Sequence, residues 1–133
     1  MKGLLRGFLW YKPRWQEIRI DGEPFFSGDV FSVAFGVGRF SGGGMLQTPD
    51  AKPDDGLMDV TVIEKVSKLK ILVSLGKLYN GNIYNIKEVS HGRGRVMEIV
   101  SKPESPVEVD GEVVGETSAR LEMIDAALRV VVD

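Results

Sequence analysis

The stretch Leu57-Met58-Asp59-Val60-Thr61-Val62-Ile63-Glu64-Lys65-Val66-Ser67-Lys68-Leu69-Lys70-Ile71-Leu72-Val73-Ser74-Leu75-Gly76-Lys77-Leu78-Tyr79-Asn80-Gly81-Asn82 decides the fold, because the period of its apolar residues changes once within it. From Leu57 to Ile63 the pattern is that of a strand, with Val60, Val62 and Ile63 apolar. From Ser67 the period lengthens to that of a helix. Leu69, Leu72, Leu75 and Tyr79 fall at i, i+3, i+6 and i+10, and Ile71 and Leu78 widen the stripe. Ser67 supplies an N-cap oxygen, and Asn80-Gly81-Asn82 a stop, since Gly and Asn enter the left-handed region cheaply. The spacing predicts one substantial helix over Ser67 to Asn80.

Strand patterns flank that helix on both sides. Upstream, Trp15 to Ile20 and then Phe25, Phe26 and Val30 to Phe35 read as two antiparallel strands around the hairpin signal Asp21-Gly22. Downstream come Val96 to Val100, Val107 to Val109, a second hairpin signal at Asp110-Gly111, Val113-Val114, Ala119 to Ile124, and Leu128 to Val132. Six to eight short strands with one helix predict a mainly β domain, an antiparallel β-sandwich with one substantial α-helix. The 133 residues, 43% of them hydrophobic, suit a single domain over 1–133.

Charge and composition narrow the function classes. The net charge of −2 argues against a nucleic-acid partner, which would call for a concentrated positive field. The chain has no cysteine, which excludes disulfide stapling, thiolate zinc sites and a cysteine nucleophile, and makes the cytoplasm the expected compartment. Met1 to Trp10 has a faint signal-peptide character, but Arg6 interrupts the apolar run; a short amphipathic helix or entry segment is the expectation. No apolar run reaches the length of a transmembrane span.

Gly36 to Gly44 holds five glycines in nine positions. It lacks the Gly-Lys-Ser/Thr of a phosphate loop, and Ser41 stands where a dinucleotide fingerprint needs glycine. A tight backbone crossing is favoured over direct ligand contact. Asp50, Asp54, Asp55 and Asp59 cluster on a proline-punctuated loop. Either solvated turn chemistry or a hard-cation site explains them, and an EF-hand fails because Ala51 and Pro53 would take ligand positions. Asp110-Gly111-Glu112 repeats the letters of Asp21-Gly22-Glu23, so hairpin chemistry alone explains both. His91, the sole histidine, forms with Arg93 and Arg95 a small basic patch expected on a solvated loop.

The order of these pieces is more specific than any one of them. Gly42-Gly43-Gly44-Met45, then Pro49-Asp50-Ala51-Lys52-Pro53-Asp54-Asp55-Gly56-Leu57-Met58-Asp59-Val60, then a helix ending near Gly81, then Val109-Asp110-Gly111-Glu112 and Ala126-Ala127-Leu128-Arg129-Val130 resembles the bacterial diacylglycerol kinase and related lipid kinase family, from about Tyr11 to Val132. The resemblance is to that family's carboxy-terminal domain, the second domain of the NAD kinase/diacylglycerol kinase-like fold. No Gly-Gly-Asp-Gly-Thr loop occurs here, so the ATP-binding domain is expected on another stretch of protein.

The resemblance implies that Glu112 is the catalytic glutamate, with Asp110 beside it. It also implies a structural Mg2+ held by the Asp55 carboxylate and the carbonyls of Lys52 and Leu57. ATP would be the co-substrate, bound mainly by the missing domain, and the acceptor a membrane lipid hydroxyl of diacylglycerol type. The partners implied are that lipid, the amino-terminal kinase domain and, through an apolar face, a second copy; the location implied is cytoplasmic and peripheral at the membrane. This chain alone is expected to be inactive. A lipid- or protein-binding β-domain without catalysis and an NAD-kinase-like relative are the alternatives.

Overall fold

A computed structural model describes residues 12–129 and 131. Strand β1 (Arg14–Ile20) turns through Asp21-Gly22 into β2 (Glu23–Gly36), a 14-residue strand. Asp21 and Gly22 both have positive φ, 49° and 82°, the geometry of the two-residue turn whose twist matches paired strands. β3 (Met58–Glu64), helix α1 (Lys68–Asn80), a short 3-10 turn (Ile83–Asn85), β4 (Val89–Gly94) and β5 (Val96–Lys102) follow. β6 (Pro106–Val109) and β7 (Glu112–Glu116) form a separate antiparallel ribbon, and β8 (Ala119–Glu122) returns to the main sheet.

The main sheet has the order β4-β3-β2-β1-β5-β8, with every pairing antiparallel. β2 belongs to both halves of it. From Glu23 to Val30 it pairs with β1, and from Val30 to Gly36 with β3, with a register slip between Val30 and Ser32. An irregularity at that point bends the strand and increases its twist. The sheet therefore curls until β4 approaches β1. β4 lies three strands from β1, yet a Cβ on Gly94 would sit 2.4 Å from Ile20 Cγ2, and one on Gly92 2.9 Å from Ile20 Cδ1. Only glycine leaves room for Ile20 there.

The curled sheet encloses Ile18, Val30, Met58, Val60, Val62, Met97 and Ile99. Val60 and Val62 are two residues apart on one strand and share its inner face, as the pleat requires. Each such side chain contributes about 1.5–3 kcal/mol when fully buried.

Helix α1 begins one residue later than its N-cap, as expected. Ser67 Oγ accepts from Lys70 N at 3.3 Å, and Gly81 closes the helix at φ 79°. Its orientation departs from the sequence reading. Ile71, Ser74, Leu75 and Leu78 face Phe31, Ile63, Val66 and Ile83 around a cavity of about 100 Å³. Leu69, Leu72 and Tyr79, which the periodicity placed on the apolar stripe, point outward with Val73 and are 54–77% exposed. No residue of the helix is fully buried.

Two further readings change. His91 and Arg93 lie on β4, a strand that the glycines on either side had disguised as loop, and Arg95 follows it. At the other end, the last strand stops at Glu122, and Leu128, Arg129 and Val131 are not in a strand. Val130 and Val132 lie outside the described residues, as does the Met1–Trp10 segment. Among the described residues no helix is long and apolar enough to cross a membrane.

Candidate functional site

The connection from β2 to β3, residues 37–57, carries the glycine cluster and the acidic cluster, and its backbone is anchored at many points. The turn through Gly42, Gly43 and Gly44 is closed by paired bonds between Ser41 and Met45, 2.8 and 3.0 Å. Thr48, 3% exposed, donates its hydroxyl to Gly38 O at 2.7 Å. Thr61 Oγ1 donates to Gln47 O at 2.7 Å, and Leu46 N donates to the last turn of α1 at Leu78 O, also 2.7 Å. The loop is thereby fixed to both the sheet and the helix.

Three arginines hold the acidic part. Arg39 Nε donates to Pro49 O at 2.7 Å. Arg93 lies directly opposite Asp59 across β4 and β3. It donates to Asp59 Oδ1 from Nη2 at 2.9 Å and from Nε at 3.2 Å, and to Asp50 O at 3.2 Å. Asp55 Oδ2 is 3.4 Å from the same Nη2. The Asp59 side chain is only 4% exposed, so Arg93 supplies the charge that offsets its burial. The hydrogen bond to Asp59, and then its charge, raise the Arg93 pKa above the ordinary value. Arg95 pairs with Asp125 at 2.9 Å and donates to Gly56 O at 3.1 Å. Behind the loop, Tyr84 stacks on His91 with ring centroids 3.7 Å apart. Its hydroxyl lies 3.2 Å from Thr61 Oγ1, and burial raises the pKa of the phenol.

Lys52, Asp55 and Leu57 meet within one turn of this loop. Asp55 N approaches Lys52 O at 3.5 Å, and Leu57 N donates to Asp55 Oδ1 at 3.0 Å. One carboxylate with neighbouring carbonyls is the donor chemistry of Mg2+ or Ca2+. Among the described residues no group of three or more His, Asp or Glu side chains could hold a metal, so carbonyl oxygen must complete any such site.

Asp110 and Glu112 stand apart from that loop, at the tip of the β6–β7 ribbon. Asp110 and Gly111 have φ of 49° and 86°, the same turn as Asp21-Gly22. The surroundings of the two turns differ. Asp21 Oδ1 accepts from both Arg95 N and Val96 N at 2.9 Å, so the first hairpin is bolted to β5. Asp110 has no such bond, and both it and Glu112 are exposed. Glu23 is exposed as well, so the difference lies in the aspartates. The ribbon is tied at its base, where Thr117 N donates to Ser105 O at 2.9 Å and Ser105 N to Thr117 Oγ1 at 3.0 Å.

The bracing of the acidic loop escaped the sequence reading. Arg39 lies 54 residues before Arg93 and 56 before Arg95, and only the pairing of β3 with β4 brings Arg93 onto Asp59. The signal available was the excess of arginine over lysine around the glycines, a side chain suited to forked contacts with carboxylates and carbonyls.

A curled antiparallel domain with one helix and an arginine-braced carboxylate loop is the class that fold and site define. The chain belongs to the family described as the YegS C-terminal NAD kinase beta sandwich-like domain, whose model matches residues 1–132. It is 34% identical over 115 residues to "Probable lipid kinase YegS-like" of Xanthomonas euvesicatoria pv. vesicatoria, covering 84% of this chain and 37% of that protein. It is 32% identical over 111 residues to a diacylglycerol kinase of Mycobacterium tuberculosis, covering 84% of this chain and 36% of that protein. A crystal structure of a diacylglycerol kinase from Bacillus anthracis superposes with a TM-score of 0.73 at 23% identity, over 93% of this chain and 42% of that one. The chain thus spans a little over a third of the length of the curated relatives it matches, and corresponds to their carboxy-terminal part.

Proposed function

We propose that this chain is the lipid-side domain of an ATP-dependent lipid kinase and supplies the general base for phosphoryl transfer to a lipid hydroxyl. The observation that carries the reading is the family match over nearly the whole chain, with relatives named as lipid and diacylglycerol kinases. In the proposed reaction the Glu112 carboxylate accepts the proton of the lipid hydroxyl as its oxygen attacks the γ-phosphorus of ATP. The bond from that phosphorus to the bridging oxygen breaks, and ADP leaves. Little covalent chemistry falls to the protein, so positioning and charge stabilisation carry the rate. Asp110 would shape the turn that presents Glu112. The phosphate-binding loop would come from the amino-terminal domain.

Joining the chain to the ATP-binding half of a relative tests this. The joined protein should transfer phosphate from ATP to diacylglycerol dispersed in detergent, and this chain alone should not. Turnover by the chain alone would overturn the division of labour. Phosphorylation of NAD in place of lipid by the joined protein would move the substrate to the dinucleotide class.

We further assign Lys52, Asp55 and Leu57 to a structural Mg2+ site, in which the cation would neutralise the carboxylate and fix the loop. Titration with Mn2+ followed by electron paramagnetic resonance should show one bound ion per chain, displaced by Mg2+ and lost in Asp55→Ala. Equal binding by wild type and Asp55→Ala would remove the site from this loop.

A further inference from the structure

Helix α1 is apolar on two opposite sides. At ~100° per residue, Ile71, Ser74, Leu75 and Leu78 occupy the side against the sheet. Tyr79, Leu72, Gly76, Leu69, the terminal Asn80 and Val73 follow one another around the other side, where Leu69 is 71%, Leu72 60% and Val73 77% exposed. A helix that is apolar all round is ordinarily covered on all sides. Here one side is covered by the sheet and the other faces outward.

The charged residues that α1 itself sets around the outward arc are all lysines, and one of them, Lys70, is ion-paired with Glu88 just before β4. On the same wheel, Lys68 falls at its border beside Tyr79, and Lys77 and Lys70 fall at the opposite border beside Val73. Residues 65–87 contain Lys65, Lys68, Lys70, Lys77 and Lys87 and no aspartate or glutamate. The net charge of the chain is −2, so the rest of it carries −7 once these five are set aside. The cationic segment of an acidic chain carries the exposed Leu69 and Leu72.

We propose that α1 is a membrane-docking helix that lies in the plane of an anionic bilayer surface, with Leu69, Leu72, Val73 and Tyr79 in the headgroup and acyl boundary and Lys77 against lipid phosphate. An apolar arc bordered on both sides by lysines is the arrangement that binds such surfaces, since long lysine side chains reach the headgroups while the arc stays buried. A two-fold pairing of helix on helix would set lysines against lysines, which disfavours a second copy as the occupant. The proposal deepens the lipid-kinase reading by placing the domain on the surface that holds its substrate, but the contact itself needs no turnover.

The test is co-sedimentation of this chain with vesicles of phosphatidylcholine alone and of phosphatidylcholine mixed with phosphatidylglycerol. Binding to the mixed vesicles should be about tenfold stronger or more, and should weaken as salt is raised. Leu72→Ser with Val73→Ser, and separately Lys77→Glu, should each reduce it about tenfold while leaving the denaturation midpoint unchanged. Equal binding to both vesicles, absence of binding, or retention by both the serine and the Lys77→Glu variants would overturn the proposal. A solution dimer dissociated by the serine variant would assign the face to a second copy. Binding lost on joining the ATP-binding half would assign it to that half. Loss of docking with kinase activity on detergent-dispersed lipid intact would leave the catalytic reading standing, and the converse would leave docking standing.

Discussion

Glu112→Gln, in the protein joined to its ATP-binding half, should lower kcat by about 10²–10⁴-fold, the range a positioned general base typically supplies. Glutamine keeps the shape of the side chain and removes its ability to take the hydroxyl proton. The stability of the domain should not change, because Glu112 lies on the exposed β6–β7 ribbon. The denaturation midpoint therefore separates a catalytic loss from a folding loss. Glu23→Gln is the control: it sits in the same tripeptide and the same kind of turn, but in the hairpin that Asp21 fastens to β5. It should leave kcat within about twofold, well below what loss of a general base removes. Equal losses from the two substitutions would show that neither is the base, and a loss from Glu23→Gln alone that the wrong hairpin carries the chemistry.

Ile18→Ala should destabilise the domain by about 2–5 kcal/mol, the range for truncating a large core aliphatic to alanine. Ile18 is 0% exposed and lies between Phe26 on β2 and Ile99 on β5. Small domains have a total stability of about 5–15 kcal/mol, so the midpoint in urea should fall steeply. Val73→Ala removes a comparable apolar side chain that is 77% exposed, and should change stability by no more than about 0.5 kcal/mol. A cost for Val73→Ala similar to that for Ile18→Ala would mean that the outer face of α1 is covered in solution.

The sequence disclosed the antiparallel fold through local signals. The Asp-Gly turns at Asp21 and Asp110 and the change of period at Ser67 each depend on residues a few positions apart, and the structure has its turns and helix there. What depended on distant partners was hidden. β4 reads as loop because Gly92 and Gly94 break its pattern, and the reason for both glycines is Ile20, more than 70 residues away in the chain. The outward turn of Leu69 and Leu72 was hidden for another reason: periodicity finds an apolar helix but does not say which arc meets the sheet. The loop that carries Asp55 was legible as a motif, while the arginines that hold it come from both sides of the sequence.

The shared strand has a consequence for how the domain opens. β2 pairs with β1 along one half and with β3 along the other, so neither half of the curled sheet can come apart while its neighbour stays whole. The sheet is one cooperative unit, and amide protection should be nearly uniform across β1, β2, β3 and β5. The β6–β7 ribbon is outside that unit: its strands pair only with each other. It can open and close at its own lower free energy, which places Asp110 and Glu112 on the part of the molecule able to adjust to a partner while the scaffold beneath it stays closed.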